Sequence, residues 1–207
     1  MKVGFIGLGN VGGKLAESVL RNGFELTVRD LDPAKTEQFR SAGASVAHSP
    51  KEIAETCEII VTCLPSPSAS ASVMEDENGI LAGLSAGKVW IEMSTTDQQE
   101  VLRLGQKVEN LGALPADCPV SGGCHRAATA NIAIFAGCER AVFERVLPLL
   151  ARMGQQVLHT GELGSASVLK VVTNYLATAN LLSLSEALVT TKAAGLDLAT
   201  AYEAIRI

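Results

Sequence analysis

The sequence predicts an α/β protein in which a doubly wound parallel sheet is followed by a long helix that opens a second, all-helical domain. Two observations support this fold class. Before residue 164, short β-branched and apolar runs alternate with longer segments of helical periodicity, which is typical of βαβ units. After it, no strand pattern follows and a long helical pattern begins. We therefore expect one domain over residues 1–163 and a second over residues 164–207.

Strands are predicted where a short apolar run is bounded by turn residues, at 2–6, 25–29, 44–47, 58–64, 88–93, 113–118, 132–135 and 156–159. Helices are predicted at 10–22 and 139–153, and two more begin at Asp32-Pro33 and Ser49-Pro50. In both pairs the first residue can cap the helix, and the proline fits its first turn. The serine-rich segment 66–70 is interpreted as a short loop.

The last predicted elements are helices. Residues 168–194 carry apolar residues at helical spacing and contain neither proline nor glycine, which predicts one long helix. Gly195 ends this helix and Asp197 starts another. Because apolar residues lie on more than one face of the long helix, we expect a homo-oligomer with residues 168–194 at its interface.

Composition and charge exclude several function classes. A net charge of -5 and only 4% aromatic residues argue against a nucleic-acid partner. No apolar run approaches the roughly 20 residues that span a bilayer, so no membrane partner is expected. The five cysteines are odd in number and lack C-x-x-C spacing, which favours reduced thiols, a cytoplasmic location and no metal site. The N-terminus leads directly into a strand, so no targeting segment is expected.

A glycine-rich loop follows the first predicted strand. Residues 7–12, Gly7-Leu8-Gly9-Asn10-Val11-Gly12, match G-x-G-x-x-G and open a predicted helix. The three glycines permit a tight turn, a close approach of the backbone to a pyrophosphate, and close packing of helix on strand. The start of the helix offers free N–H groups to the phosphates. The pattern therefore predicts a Rossmann-type fold with a dinucleotide site at this loop.

An acidic residue indicates which dinucleotide is bound. Asp30 ends the second predicted strand, 18 residues after Gly12. A carboxylate at this place can accept hydrogen bonds from the ribose hydroxyls of NAD and would repel the 2′-phosphate of NADP. Strand alternation directs Arg29 away from Asp30. We therefore expect NAD as the cofactor, with NADP disfavoured.

A second group of residues could bind and transform a substrate. Ser121, Gly122 and Gly123 leave backbone N–H groups uncovered, which suits either a carboxylate or an ordinary surface turn. Lys170 lies in an apolar helical run with Asn174 four residues later on the same face. A lysine in such a run either extends its amine to solvent along the helix or faces a cleft. These residues alone leave both alternatives open.

Taken together, these segments resemble the β-hydroxyacid dehydrogenase family, which includes 3-hydroxyisobutyrate dehydrogenases and the N-terminal part of 6-phosphogluconate dehydrogenase. The match is carried by segments 4–12, 117–123 and 164–174, and by the pairs Leu64-Pro65 and Ser94-Thr95. The resemblance implies transfer of a hydride between NAD and a small 3-hydroxy acid. It also implies that the residues that line the cofactor include Leu64, Pro65 and Thr95.

The resemblance assigns the chemistry to Lys170 as general acid and base, with Asn174 holding the substrate beside it. It assigns the substrate carboxylate to Ser121, Gly122 and Gly123. A lysine suits this role if burial lowers its pKa towards neutrality. No cluster of arginines and lysines for a sugar phosphate is evident, so a small, non-phosphorylated carboxylic acid is the expected substrate.

Some features depart from the family pattern. Ala166 stands where glycine is usual, Thr173 where a second asparagine is frequent, and Cys118 where alanine is usual. Family chains also continue past the position of Ile207, which implies that the helical domain is truncated here.

Two other functions share the predicted fold. One is an imine reductase-like enzyme, and the other is a dinucleotide-sensing or interaction module with little catalysis. Both groups have another residue in place of the lysine, so Lys170 argues against each of them.

Overall fold

A computed structural model describes residues 1–207 of the protein. Its strands are β1 (Lys2–Ile6), β2 (Glu25–Arg29), β3 (Ser45–Val46), β4 (Ile59–Thr62), β5 (Val89–Glu92), β6 (Leu114–Asp117), β7 (Val120–Ser121), β8 (Ala133–Gly137) and β9 (Gln156–Gly161). Its helices are α1 (Gly12–Arg21), α2 (Pro33–Ser41), α3 (Pro50–Thr56), α4 (Pro67–Glu75), α5 (Ile80–Gly83), α6 (Gln98–Asn110), α7 (Cys124–Ala128), α8 (Arg140–Met153), α9 (Ser165–Ala193) and α10 (Leu198–Arg206).

The strands form one sheet that confirms the predicted fold class. Its first six strands are parallel in the order β3-β2-β1-β4-β5-β6, which is the order of a doubly wound Rossmann sheet. Beyond this parallel part, β8 is antiparallel to both β6 and β7, and β9 is parallel to β8. Between β6 and β8 the chain carries only β7 and the short helix α7. Without a crossover helix the chain returns antiparallel.

The sheet is buried on both faces by two separate hydrophobic cores. In β4, Ile59 and Val61 contact one core, which includes residues of α1 and α8. Ile60, between them, contacts the other core, which includes residues of α3 and α6. Side chains that alternate along a strand therefore enter opposite cores, which explains the continuous apolar run of this strand.

Helix starts follow local side-chain capping. Asp32 caps α2 and Ser49 caps α3, each followed by proline, as predicted. The interpretation of segment 66–70 as a loop was wrong. Ser66 accepts a hydrogen bond from the Ala69 N–H and caps α4 by the same Ser-Pro device.

The chain divides into two compact units, Met1–Lys170 and Val171–Ile207. The first contains the whole sheet, and the second contains most of α9 together with α10. The predicted long helix is present and begins at Ser165, three residues before the predicted start. The predicted division after residue 163 stays a prediction. No helix combines the length and the hydropathy that crossing a membrane requires.

Candidate functional site

The carboxyl ends of the central strands lie in one row. The strand register aligns the last residues of β2, β1, β4, β5 and β6, which are Arg29, Ile6, Thr62, Glu92 and Asp117. The segments that follow these residues therefore meet at one edge of the sheet. Strand order reverses between β1 and β4 at this edge, and such a reversal opens a crevice where ligands bind in doubly wound sheets.

The three glycines of the loop after β1 have different local environments. Gly7 has φ of +95°, and a Cβ on it would lie 2.3 Å from the Cys63 carbonyl oxygen. A Cβ on Gly12 would lie 2.1 Å from the Gly7 carbonyl oxygen. A Cβ on Gly9 would meet no atom within 4 Å. Packing thus requires the first and third glycines, while the second leaves open space in front of the loop.

The start of α1 is suited to an anion. Val11 precedes the helix without a side-chain cap, and the first turn contains no acidic residue. Gly9 and Asn10 are exposed beside it. Uncapped N–H groups and the positive end of the helix dipole favour a phosphate at this point. The open space at Gly9 leaves room for one, so these residues fit a dinucleotide.

Asp30 fastens the glycine loop. Its Oδ2 accepts a hydrogen bond from the Leu8 N–H at 2.6 Å, and its Oδ1 accepts one from the Asp32 N–H at 2.9 Å. The Lys35 amine lies 3.8 Å from Oδ1. Leu8 itself is buried, and its N–H is already used by Asp30. The sequence pattern did not indicate this loop contact or the neighbouring lysine, because both depend on tertiary structure.

The predicted cofactor-lining residues lie on two loops that are tied together. The Leu64 N–H donates to Ser94 Oγ at 2.7 Å, and the Ser94 N–H donates to Glu92 Oε1 at 2.8 Å. Leu64 is half-buried, whereas Pro65 and Thr95 are exposed. The loops after β4 and β5 are thereby held at a fixed spacing beside the glycine loop.

Glu92 was not among the predicted site residues. Its side chain is buried, and burial raises the pKa of the carboxyl. Its Oε2 has no hydrogen-bond partner. A glutamate at the end of an otherwise apolar strand was the sequence signal that could have identified it.

The proposed carboxylate loop follows β7. Gly122 and Gly123 have φ of +130° and +83°, which L side chains rarely adopt. Arg126 packs over Gly122 and the His125 ring packs over Gly123. Ser121 is the last residue of β7 and pairs with Ala133 of β8, so it lies in a strand directly before the two glycines. The backbone of the two glycines is partly accessible, as a carboxylate-binding loop requires.

The start of α9 carries the candidate catalytic residue. Lys170 is only 9% exposed, and burial lowers the pKa of its amine. Asn174 is exposed and lies four residues later on the same helix, within the second unit. Lys170 is thus embedded in the protein, and its catalytic role stays a prediction.

Asp117 binds the first turn of α9. Its Oδ2 accepts a hydrogen bond from the Ser167 N–H at 2.7 Å, and its Oδ1 accepts one from Ser167 Oγ at 2.9 Å. The carboxyl is fully buried, and burial raises its pKa to about 6 although the Ser167 hydrogen bonds oppose this shift. The sequence identified Asp117 only as part of a family segment, because its partner lies 50 residues away along the chain.

The five cysteines are free thiols. Cys63 follows β4 at the sheet edge, and burial raises its pKa to about 12, so it carries no thiolate near neutral pH. No group of three or more His, Cys, Asp or Glu side chains has an arrangement that could hold a metal ion.

Comparison with known proteins identifies close relatives. The family described as "NAD binding domain of 6-phosphogluconate dehydrogenase" matches residues 2–161. Mitochondrial 3-hydroxyisobutyrate dehydrogenase from Rattus norvegicus is 36% identical over 195 residues, which are 94% of this chain and 58% of the relative. The chain thus spans little more than half the length of that relative.

Two solved structures extend the comparison. A 3-hydroxyisobutyrate dehydrogenase from Mycobacterium tuberculosis, solved with L-serine, superposes with a TM-score of 0.92 at 25% identity, over 99% of this chain and 69% of that one. An imine reductase variant from Myxococcus stipitatus, solved with NAD+, has a TM-score of 0.91 at 21% identity, over 99% of this chain and 70% of that one. At 21% identity the second likeness shows the fold alone.

Proposed function

The chain belongs to the family of the NAD-binding domain of 6-phosphogluconate dehydrogenase, and from this premise we propose that it is part of a 3-hydroxy acid dehydrogenase. The enzyme transfers a hydride between NAD and the hydroxyl-bearing carbon of a small 3-hydroxy acid. In the reverse direction it reduces the corresponding semialdehyde. The similarity to two 3-hydroxyisobutyrate dehydrogenases supports this assignment.

One observation carries the proposal, namely the burial of Lys170 at the start of α9. An amine that only extended along a helix to solvent would stay exposed and keep an ordinary pKa. Lys170 is instead buried, and its pKa is lowered by loss of hydration. A larger fraction of the amine is therefore neutral near pH 7, and a general base that accepts a hydroxyl proton must be neutral.

The proposed chemistry divides into a proton and a hydride. As the substrate is oxidised, Lys170 accepts the hydroxyl proton, and the carbon loses its hydride to form the carbonyl. When bound, NAD supplies the hydride acceptor. Asn174 helps to hold the hydroxyl. Gly122 and Gly123, together with Ser121, bind the substrate carboxylate through backbone N–H and hydroxyl donors.

The family assigns NAD as the cofactor. We propose that the glycine loop 7–12, with its open space at Gly9, accepts the pyrophosphate and that Asp30 accepts the ribose hydroxyls. A 2′-phosphate would face the Asp30 carboxylate, although the Lys35 amine at 3.8 Å reduces that repulsion. NADH should therefore bind more tightly than NADPH in a fluorescence titration. Equal or tighter binding of NADPH would contradict the assignment of Asp30.

The reaction is tested by absorbance of the reduced nicotinamide. The protein is incubated with NAD and a panel of 3-hydroxy acids, and 2-hydroxy acids of the same carbon number serve as matched controls. The proposal expects NADH to form with at least one small 3-hydroxy acid and to form much more slowly with the controls. Absence of NADH with every 3-hydroxy acid, from protein that binds NADH, would favour a dinucleotide-sensing module instead.

An imine reductase is the second candidate with this fold. Lys170 favours the dehydrogenase, since a buried amine of lowered pKa exchanges a proton with a hydroxyl. Adding cyclic imines with NADH to the same assay separates the two. Oxidation of NADH by imines but not by semialdehydes would reverse the choice.

We further propose a cytoplasmic homo-oligomer. Five free thiols support a reducing compartment. Large apolar side chains are exposed along α9, among them Val172, Tyr175 and Leu182. Such residues support an interface over residues 168–194. Sedimentation at micromolar concentration should give a dimer or a larger species, and a clean monomer would contradict this interface.

A further inference from the structure

We infer that Asp117 is a positioning residue that fixes Lys170 at the sheet edge by binding the first turn of α9. The inference rests on the proposed function only for the role of Lys170. Asp117 itself touches no substrate in this scheme, because its side chain is fully buried where it binds Ser167.

The two hydrogen bonds fix the helix start in position and rotation. One comes from the Ser167 N–H and the other from the Ser167 hydroxyl, at 2.7 and 2.9 Å. Lys170 follows three residues later, less than one helical turn away. Because both residues belong to one rigid helix, fixing Ser167 also fixes the position of the Lys170 Cα.

Asp117 supplies what the local sequence lacks. The residue before α9 is Gly164, which has no side chain to cap the helix. A carboxylate from β6 satisfies an N–H of the first turn and interacts favourably with the positive end of the helix dipole. The cap thus comes from the sheet rather than from the helix, which links the helix start directly to β6.

The neighbouring strand allows this close approach. Gly137 of β8 pairs with Asp117 across the sheet. A Cβ on Gly137 would lie 2.9 Å from the Glu162 carbonyl oxygen and 3.0 Å from the Ala166 nitrogen. The start of α9 therefore contacts two adjacent strands, and a side chain at position 137 would push it away.

This arrangement determines how well Lys170 is shielded from water. Burial is the cause of the lowered pKa of its amine. If the first turn of α9 moved outwards, water would reach the amine and its pKa would return towards the ordinary value. A displacement of about 1 Å can also cost roughly a hundredfold in rate when a catalytic group is misplaced.

The test compares four variants with the wild-type protein. Asp117→Ala removes both acceptors, and Ser167→Ala removes only the hydroxyl donor. Asp117→Asn keeps an acceptor for the Ser167 N–H and a polar group for the hydroxyl. Asp197→Ala is a matched control, because Asp197 accepts hydrogen bonds from the N–H and hydroxyl of Thr200 at the start of α10. Each is measured below its melting temperature for turnover, NADH affinity and the pH dependence of Lys170 acetylation by mass spectrometry.

Asp117→Ala should lower turnover by roughly ten- to a hundredfold with NADH affinity unchanged, and should raise the apparent pKa of Lys170 acetylation. Ser167→Ala should have a smaller effect of the same kind, and Asp117→Asn should retain most of the turnover. Asp197→Ala should change neither turnover nor the apparent pKa of Lys170 acetylation. The inference is overturned if Asp117→Ala melts at a lower temperature but keeps wild-type turnover and Lys170 acetylation. If Asp117→Ala does not fold, the same comparison between Ser167→Ala and Asp117→Asn decides.

The acetylation readout separates this inference from the proposed function. It needs neither substrate nor cofactor. If the wild-type protein oxidises no hydroxy acid while Asp117→Ala still shifts Lys170 acetylation, the function fails and the positioning stands. If the wild-type protein is active and acetylation does not shift, the positioning fails alone.

Discussion

The glycine loop after β1 and the first turn of α9 both lie at the carboxyl edge of the sheet, but they expose different chemical groups there. The loop presents backbone: Gly9 faces open space, and α1 begins without a side-chain cap. The helix start presents side chains: Asp117 holds Ser167, and Lys170 is buried beyond it. Changes in the loop should therefore act on cofactor affinity, and changes at the helix start should act on turnover.

The largest effect is expected at Lys170. Lys170→Ala should lower turnover by about 10²–10⁴-fold, the range typical for loss of a general acid or base. NADH affinity should stay within a small factor, because the glycine loop is untouched. Lys170→Arg should not restore turnover, since a guanidinium hardly releases its proton near neutral pH. Steady-state kinetics and NADH fluorescence check both.

Lys2→Ala is the control for that prediction, because Lys2 is an exposed lysine at the start of β1, at the opposite end of that strand from the glycine loop. It should leave turnover unchanged. A fully active Lys170→Arg protein would contradict the role of Lys170 as general acid and base, and with it the assignment of turnover to the start of α9 and of cofactor affinity to the glycine loop.

The second effect is a pH dependence of stability at Asp117. Burial raises its pKa from 3.8 to about 6 in the folded protein. The folded carboxyl thus holds its proton where the unfolded one has lost it. Its contribution to stability is present below pH of about 4 and is lost as the pH rises to about 6, roughly 3 kcal/mol in all.

Urea unfolding of wild type and Asp117→Asn from pH 4 to pH 7 measures this contribution, because the amide does not titrate. The wild type should lose stability relative to the variant as the pH rises through this range. Glu92, Cys118 and Cys138 are further titratable groups close to this carboxyl. Burial raises the pKa of each, and all three are present in both proteins. Parallel stability curves would contradict the assigned pKa.

The third prediction separates two glycines within one loop. Gly9→Ala adds a methyl group in open space, so melting should not change, but NADH affinity should fall by roughly tenfold or more if the pyrophosphate lies there. Gly7→Ala places its methyl group against the Cys63 carbonyl at positive φ and should cost about 2 kcal/mol of stability or more. Melting curves and NADH titrations distinguish the two. Unchanged NADH affinity in Gly9→Ala would show that the cofactor does not approach this glycine.

The smallest effect is expected outside both regions. Ala130, in the turn between α7 and β8, is the only non-glycine residue with positive φ, at 54°. Ala130→Gly should relieve this strain and raise the free energy of unfolding by roughly 0.5 kcal/mol after the entropy cost of glycine. Turnover and NADH affinity should not change. A loss of stability would show that the turn favours alanine for packing reasons.

The difference between local patterns and contacts of distant residues explains which parts of the structure could be predicted from the sequence. The glycine loop was readable because its pattern is local: a strand, a glycine-rich turn and a helix follow one another within residues 2–21. The caps at Asp32 and Ser49 were readable for the same reason. The cap at Ser66 has an equally local signal, a serine followed by proline, but the small residues that follow it favour a loop as strongly as a helix.

By itself, the sequence determined the glycine loop and the long helix, because each depends on periodicity or spacing within a short stretch. The alternation of strands and helices along residues 1–163 determined the doubly wound sheet, and the family resemblance singled out the candidate lysine. Only the tertiary structure decided how β8 returns antiparallel, how Asp30 reaches the Leu8 N–H, and how Asp117 reaches Ser167. These contacts join residues 20 to 50 positions apart. Which buried donor meets which acceptor at such separations depends on the strand register, which a linear pattern of residue types does not encode.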